Sequence, residues 1–307
     1  MDTPNDPTVR VEGGDGDGRR SALLAVAALY AGVLTGAAFV LDACSGLHPL
    51  VAVLVADLFA TAAVFVASMA MRNSSLYDPY WSVIPPFVAW AFASRGMGVP
   101  DGRTALLIGA VSIWAVRLTL NWARGWSGPS HEDWRYRMLR RQSPAPGWLI
   151  DLTAIHLYPT LQVYAGCLGM YAALTLGDRP LSALDAVAAA VVVGAAVLQF
   201  AADEQMRAHR RTGSTMPFRG GLWALSRHPN YFGEASMWWG VWLFGVAGHP
   251  SAWWWTAAGP LSMTALLRFG SVPMMDRRSA ERRPGYDEIL EQLPAMIPLG
   301  RRLRRRS

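Results

Sequence analysis

Ser226-Arg227-His228-Pro229-Asn230-Tyr231-Phe232-Gly233-Glu234 places an arginine, a histidine, an asparagine, a tyrosine and a carboxylate at the mouth of an uncharged segment, Ala235 to Gly248, that holds Trp238, Trp239 and Trp242. Ionisable groups at a membrane boundary are costly unless paired or bound to something. The stretch therefore predicts the rim of an intramembrane site. Within it Arg227, Asn230 or Tyr231, and Glu234 recur at helical spacing. A second stripe, Gln199, Asp203, Arg207 and Arg210 or Arg211, repeats that spacing and would align an amide, a carboxylate and guanidinium groups on one helix face. Taken alone, such a stripe also fits ordinary ion pairs along a helix end. Two such stripes flanking one loop favour a site more than either does alone.

These residues need elements to hold them. The chain has 307 residues, of which 52% are apolar and 16% charged. Its apolar residues fall in runs of roughly 20, the length that crosses a bilayer: Ser21 to Leu41, His48 to Met71, Trp81 to Ser94, Thr104 to Leu120, Leu149 to Leu176, Leu181 to Ala201, Tyr231 to Gly248 and Ser251 to Phe269. The expected fold is all-α, a polytopic transmembrane bundle of seven to eight spans. Pro85 and Pro86 interrupt the Trp81 run, which is expected to be re-entrant or broken. Residues 1–20, with Gly13-Gly14-Asp15-Gly16-Asp17-Gly18, are expected to be a disordered polar tail. Residues 21–307 are expected to form a single transmembrane domain ending in a cytoplasmic basic tail.

Arginine supplies the positive charge, and the net formal charge is +6. It concentrates in Arg124 to Arg141, in Arg207 to Arg219, and from Arg277 to Arg306. Arginine-rich connections stay on the cytoplasmic side, so both termini are expected there. No soluble basic module is present, which argues against nucleic acid as a partner. The glycine-rich tail lacks a preceding strand and is not a dinucleotide loop. Cys44 and Cys167 show no metal-ligand spacing, and no metal site is expected. No Gly-x-Ser-x-Gly elbow supports a serine hydrolase.

The path from Asp203 through Gly220-Gly221-Leu222-Trp223, Ser226 to Glu234 and the tail Arg277 to Pro298 resembles the membrane steroid 5-alpha-reductase superfamily. It is most similar to the bacterial branch carried as a domain of unknown function (DUF1295-like). Asn73-Ser74-Ser75-Leu76-Tyr77-Asp78-Pro79-Tyr80-Trp81-Ser82, Arg124-Gly125-Trp126-Ser127 and His131-Glu132-Asp133-Trp134-Arg135-Tyr136-Arg137 carry the same resemblance. It implies an enzyme of the bacterial inner membrane that moves hydride from NADPH to an activated carbon–carbon double bond of a lipophilic substrate.

Position by position, the resemblance implies cofactor contacts at Gln199, Asp203, Arg207, Arg210, Arg227, His228, Asn230, Tyr231, Glu234, Arg277 and Tyr286. It implies a carbonyl-polarising acid with a tyrosine. Asp78 is the counterpart of the acid, Trp114 stands at the tyrosine position, and Tyr80 is the substitute, with Glu234 as a further catalytic candidate. The Arg227-His228-Pro229, Tyr231 and Gly233 pattern is also similar to membrane isoprenylcysteine and phospholipid methyltransferases, which implies S-adenosylmethionine as the alternative cofactor. A non-enzymatic lipid-binding protein on the same scaffold is the third reading. The sequence leaves the oligomeric state open.

Overall fold

The computed structural model describes residues 15–96 and 101–300. Among these residues every regular element is helical. The first half comprises α1 (Asp15–Ala43), α2 (Pro49–Met71), a 3₁₀ turn Ser74–Tyr77, α3 (Tyr80–Ala93), α4 (Asp101–Gly125) and α5 (Trp134–Gln142). There follow α6 (Gly147–Ile150), α7 (Tyr158–Gly166), α8 (Leu168–Leu174), α9 (Ala183–Arg211) and α10 (Pro229–Gly248). The chain closes with α11 (Trp253–Thr256), α12 (Ala258–Ala265), α13 (Val272–Arg282) and α14 (Tyr286–Gln292). The expected disordered tail is cut short, because Asp15 to Arg20 already belong to α1. Arg19 there donates to the carbonyls of Trp126 at 2.8 Å and Ala123 at 2.6 Å, which ties the start of α1 to the end of α4. The remainder of that tail lies outside the described residues.

Four helices are long and apolar enough to cross a membrane: Gly18–Ala43, Pro49–Met71, Asp101–Gly125 and Ala183–Arg211. Only 22% to 39% of their most apolar windows is buried inside the protein, so most of this apolar surface faces outward, as lipid contact requires. The other apolar runs form shorter or interrupted helices. α3 is helical straight through Pro85 and Pro86, but its 14 residues reach about 21 Å, short of the roughly 30 Å hydrocarbon core. The Leu149 run contains a π-helical segment, Asp151–Leu157, and the Ser251 run contains another, Leu266–Ser271. A proline follows each by two residues, Pro159 and Pro273. Proline lacks an N–H and its ring crowds the carbonyl four residues back, and a widened turn relieves that clash.

The core lies where α10 meets α9 and α8, around Trp114, Trp238 and Phe244, all fully buried. Close approach there depends on glycine. A Cβ on Gly169 would lie 2.7 Å from the Val241 carbonyl oxygen, and one on Gly233 would lie 2.5 Å from Gln199 Cγ. Small residues let helix backbones touch in a bilayer, where no hydrophobic effect pulls helices together. At the end of the bundle away from the motif, Arg103 and Asp185 are both fully buried and joined at 2.7 Å and 3.0 Å. Asp185 also caps α9 through Ser182, so one carboxylate starts that helix and pins it to α4.

Candidate functional site

α9 continues unbroken to Arg211, so Asp203, Arg207 and Arg210 share one face. That face forms one wall of a pocket of about 310 Å³. The mouth of α10 supplies Arg227, His228, Asn230 and Tyr231, while α13, α14 and their connection supply Ser279, Arg283 and Tyr286. Asn121 from α4 and the aromatic rings of Phe218 and Trp223 complete it. Trp223 is fixed by donating its indole N–H to the Ala202 carbonyl at 2.9 Å. Arg207 Nη2 donates to Asn121 Oδ1 at 2.7 Å. Among the described residues, neither the Arg210 nor the Arg283 guanidinium has a hydrogen-bond or ion-pair partner. Cationic donors without partners facing a concave space suit a polyanionic ligand.

The opening motif is held by a carboxylate that the sequence did not single out. Asp276 on α13 accepts from Arg227 Nη2 at 3.0 Å, from His228 Nε2 at 2.8 Å and from the Tyr286 hydroxyl at 2.9 Å. Burial alone would raise its carboxyl, but the His228 hydrogen bond and charge and the Arg227 guanidinium outweigh burial and hold it below the usual range. Gly285, at φ 74°, makes the left-handed turn between α13 and α14 that returns Tyr286 to Asp276. The backbone closes the same unit, with the Arg227 and His228 amides bonded to the carbonyls of Pro294 and Ala295 at 3.0 Å and 3.1 Å. His228 stacks on Tyr231 with ring centroids 5.2 Å apart.

Glu234 and Gln199 do not line the pocket; they lie deeper, against α4. Glu234 accepts from Gln199 Nε2 at 2.7 Å, Trp238 Nε1 at 3.0 Å and Trp114 Nε1 at 3.2 Å. Trp114 of α4 thus binds the carboxylate of α10. Arg277 does not join the site either, because it is exposed on α13 and turned away from the pocket. Arg283 occupies the pocket in its place.

Asp78 and Tyr80 are not partners. Asp78 accepts a short hydrogen bond from the Tyr136 hydroxyl, and burial pushes its carboxyl up to about 6 despite that bond. Tyr80 donates to Asp57 Oδ1 at 2.6 Å and accepts from Thr61 at 2.9 Å. Asp57 Oδ2 is buried without a hydrogen-bond partner. A lone carboxylate in an apolar run is itself a sign of function, and Asp57 carried that signal within His48 to Met71. The two flanking motifs meet as well: Asn73 Nδ2 donates to the carbonyls of Pro129 and His131, and the Asp133 amide donates to Ser75 Oγ at 2.8 Å. Among the described residues no cluster of three potential metal ligands occurs.

A helical membrane protein with an arginine-lined pocket at one rim is the class that this geometry defines. The chain belongs to the family described as "Protein of unknown function (DUF1295)", whose profile matches residues 64–292. It is similar to an uncharacterized protein of Schizosaccharomyces pombe, 28% identical over 258 residues that cover 75% of this chain and 74% of that protein. No solved structure matches it.

Proposed function

We propose that this protein is an integral-membrane oxidoreductase of the steroid 5-alpha-reductase type, which transfers hydride from NADPH to an activated C=C bond of a lipophilic substrate. The observation that carries this reading is the convergence of Arg207, Arg210 and Arg283 on one pocket with Asn230, Tyr231 and Tyr286. The donor set fits a dinucleotide: guanidiniums for phosphates, flat aromatic side chains for stacking, and an amide for the carboxamide of the ring.

When bound, the reduced nicotinamide would supply the hydride. The chain's own residues do the rest. Arg207, Arg210 and Arg283 hold phosphate oxygens. Arg227 and His228, already engaged by Asp276, shape the rim and are not free charges. Asn230 orients the ring. Tyr80, held by Asp57 rather than by Asp78, is the hydroxyl that would donate a hydrogen bond to the substrate's carbonyl oxygen, where negative charge would develop. Glu234 positions α10 against α4 through its indole and amide donors.

In this reading eight segments cross the bacterial inner membrane, α3 among them because Arg95 at its end reaches the Leu41 carbonyl at the far end of α1, with both termini cytoplasmic and the pocket open to the cytoplasm, where the arginines concentrate. Calorimetric titration in detergent tests the cofactor. NADPH is expected to bind saturably, NADH more weakly, and S-adenosylmethionine to give no heat. Saturable S-adenosylmethionine binding with none for either nicotinamide replaces this reading with the methyltransferase, and silence for all three favours a non-enzymatic lipid-binding role.

A further inference from the structure

A second cavity, of about 420 Å³, lies between α4 and α9. Ile113, Val116 and Leu120 of α4 and Phe200 of α9 form its apolar part, and each is half exposed on the outer surface of the bundle. Its other end is polar, closed by Arg117, Arg124, Asp203 and Glu204. From Ile113 to Arg124 the groove rises about 16 Å along α4, close to the depth of one leaflet of a roughly 30 Å hydrocarbon core. Apolar wall and charged end are therefore arranged like an amphiphile standing in the bilayer.

The charged end has unmet bonding capacity. Arg117 gives Nη2 to Asp203 at 2.7 Å, but its Nε and Nη1 are buried with no hydrogen-bond partner. Buried donors left unpaired cost free energy, and an ionised donor costs more than a neutral one. Three guanidiniums stand here against two carboxylates, because Arg207 reaches Asn121 and Glu204 from the neighbouring pocket. An anionic acceptor oxygen would meet one of these donors and balance the excess positive charge.

We propose that the groove between α4 and α9 binds a fatty-acyl chain, its hydrocarbon along Ile113, Val116, Leu120 and Phe200 and its carboxylate at the charged end, between the guanidiniums of Arg117 and Arg124. The site is distinct from the dinucleotide pocket, although Asn121 and Asp203 line both. It stands apart from the reductase reading: nucleotide titration decides that one, and labelling of the groove decides this one.

The test is photolabelling of the full-length protein in phosphatidylcholine nanodiscs with a diazirine-bearing palmitate, followed by peptide mapping. Labelling of α4 and α9 peptides is expected to saturate, to be competed by unlabelled palmitate, and to resist lysophosphatidylcholine. Val116→Trp and Ile113→Trp, at outward-facing positions, fill the groove and are expected to lower apparent affinity about tenfold. Leu106→Trp, outward-facing on the same helix but outside the groove, is expected to leave it unchanged. Unsaturable labelling, labelling equal in both groove-filling variants, or competition by lysophosphatidylcholine alone would overturn the proposal and reduce the groove to a surface for ordinary bilayer lipid.

Discussion

His228 and Asp276 lie 48 positions apart in the chain and meet at 2.8 Å in the structure. Their bond makes the loop before α10 and the helix before the C-terminal segment one unit, with Arg227 and Tyr286 on the same carboxylate. The rim of the pocket is thus built from two distant segments that order each other.

Asp276→Ala should remove the acceptor that holds Arg227, His228 and Tyr286. Breaking a buried ion pair from one side leaves the partner charge uncompensated and costs about 3 to 5 kcal/mol. Thermal unfolding in detergent is expected to fall accordingly, with the segment after Arg283 becoming sensitive to limited proteolysis. The same group sets an acid limit. Its folded value lies below that of an unfolded aspartate, near ~3.9, so its contribution is present above that pH and is lost as pH falls through the lower folded value.

Asp78 predicts the opposite dependence. Its carboxyl sits at about 6 in the folded protein because it is buried. The folded state binds that proton more tightly than the unfolded chain does. The resulting stability is full below about 3.9 and is lost as pH rises through about 6. The parent melting temperature should therefore fall between about pH 4 and pH 6, and Asp78→Asn should flatten that slope.

Arg283 and Arg277 separate a phosphate ligand from a topology marker. Arg283→Ala and Arg210→Ala should each weaken NADPH binding by about 1.5 to 3 kcal/mol, roughly tenfold to a hundredfold. Arg277→Ala, on the exposed face of α13, should bind as the parent does in the same titration. Equal binding by all three variants would detach the arginine cluster from the cofactor.

Glu234→Gln tests whether α10 is set by its buried carboxylate. Three N–H donors converge on that side chain, and the substitution turns one accepting oxygen into a fourth donor. Leaving a donor unpaired there should cost about 1 to 3 kcal/mol of stability. NADPH affinity should change less than in Arg210→Ala, because Glu234 does not line the pocket.

The sequence by itself determined the helical class, the apolar segments long enough to meet lipid, and the two polar stripes. These are properties of neighbouring residues: run length and helical spacing are local and survive without knowledge of the fold. Asp203, Arg207 and Arg210 came out on one face because α9 stays helical to its end. Only the tertiary structure decided the partners. Adjacent positions on a helix point about 100° apart, so on α13 Asp276 turns inward to His228 while Arg277 turns outward, and no local pattern says which does which. Likewise Tyr80 bonds Asp57, 23 positions back, rather than Asp78 two positions back, because packing of α3 on α2 brings that carboxylate to its hydroxyl. Electrostatic pairing inside a bundle follows which helix faces meet, and that is fixed by glycine contacts and side-chain volumes spread along the whole chain.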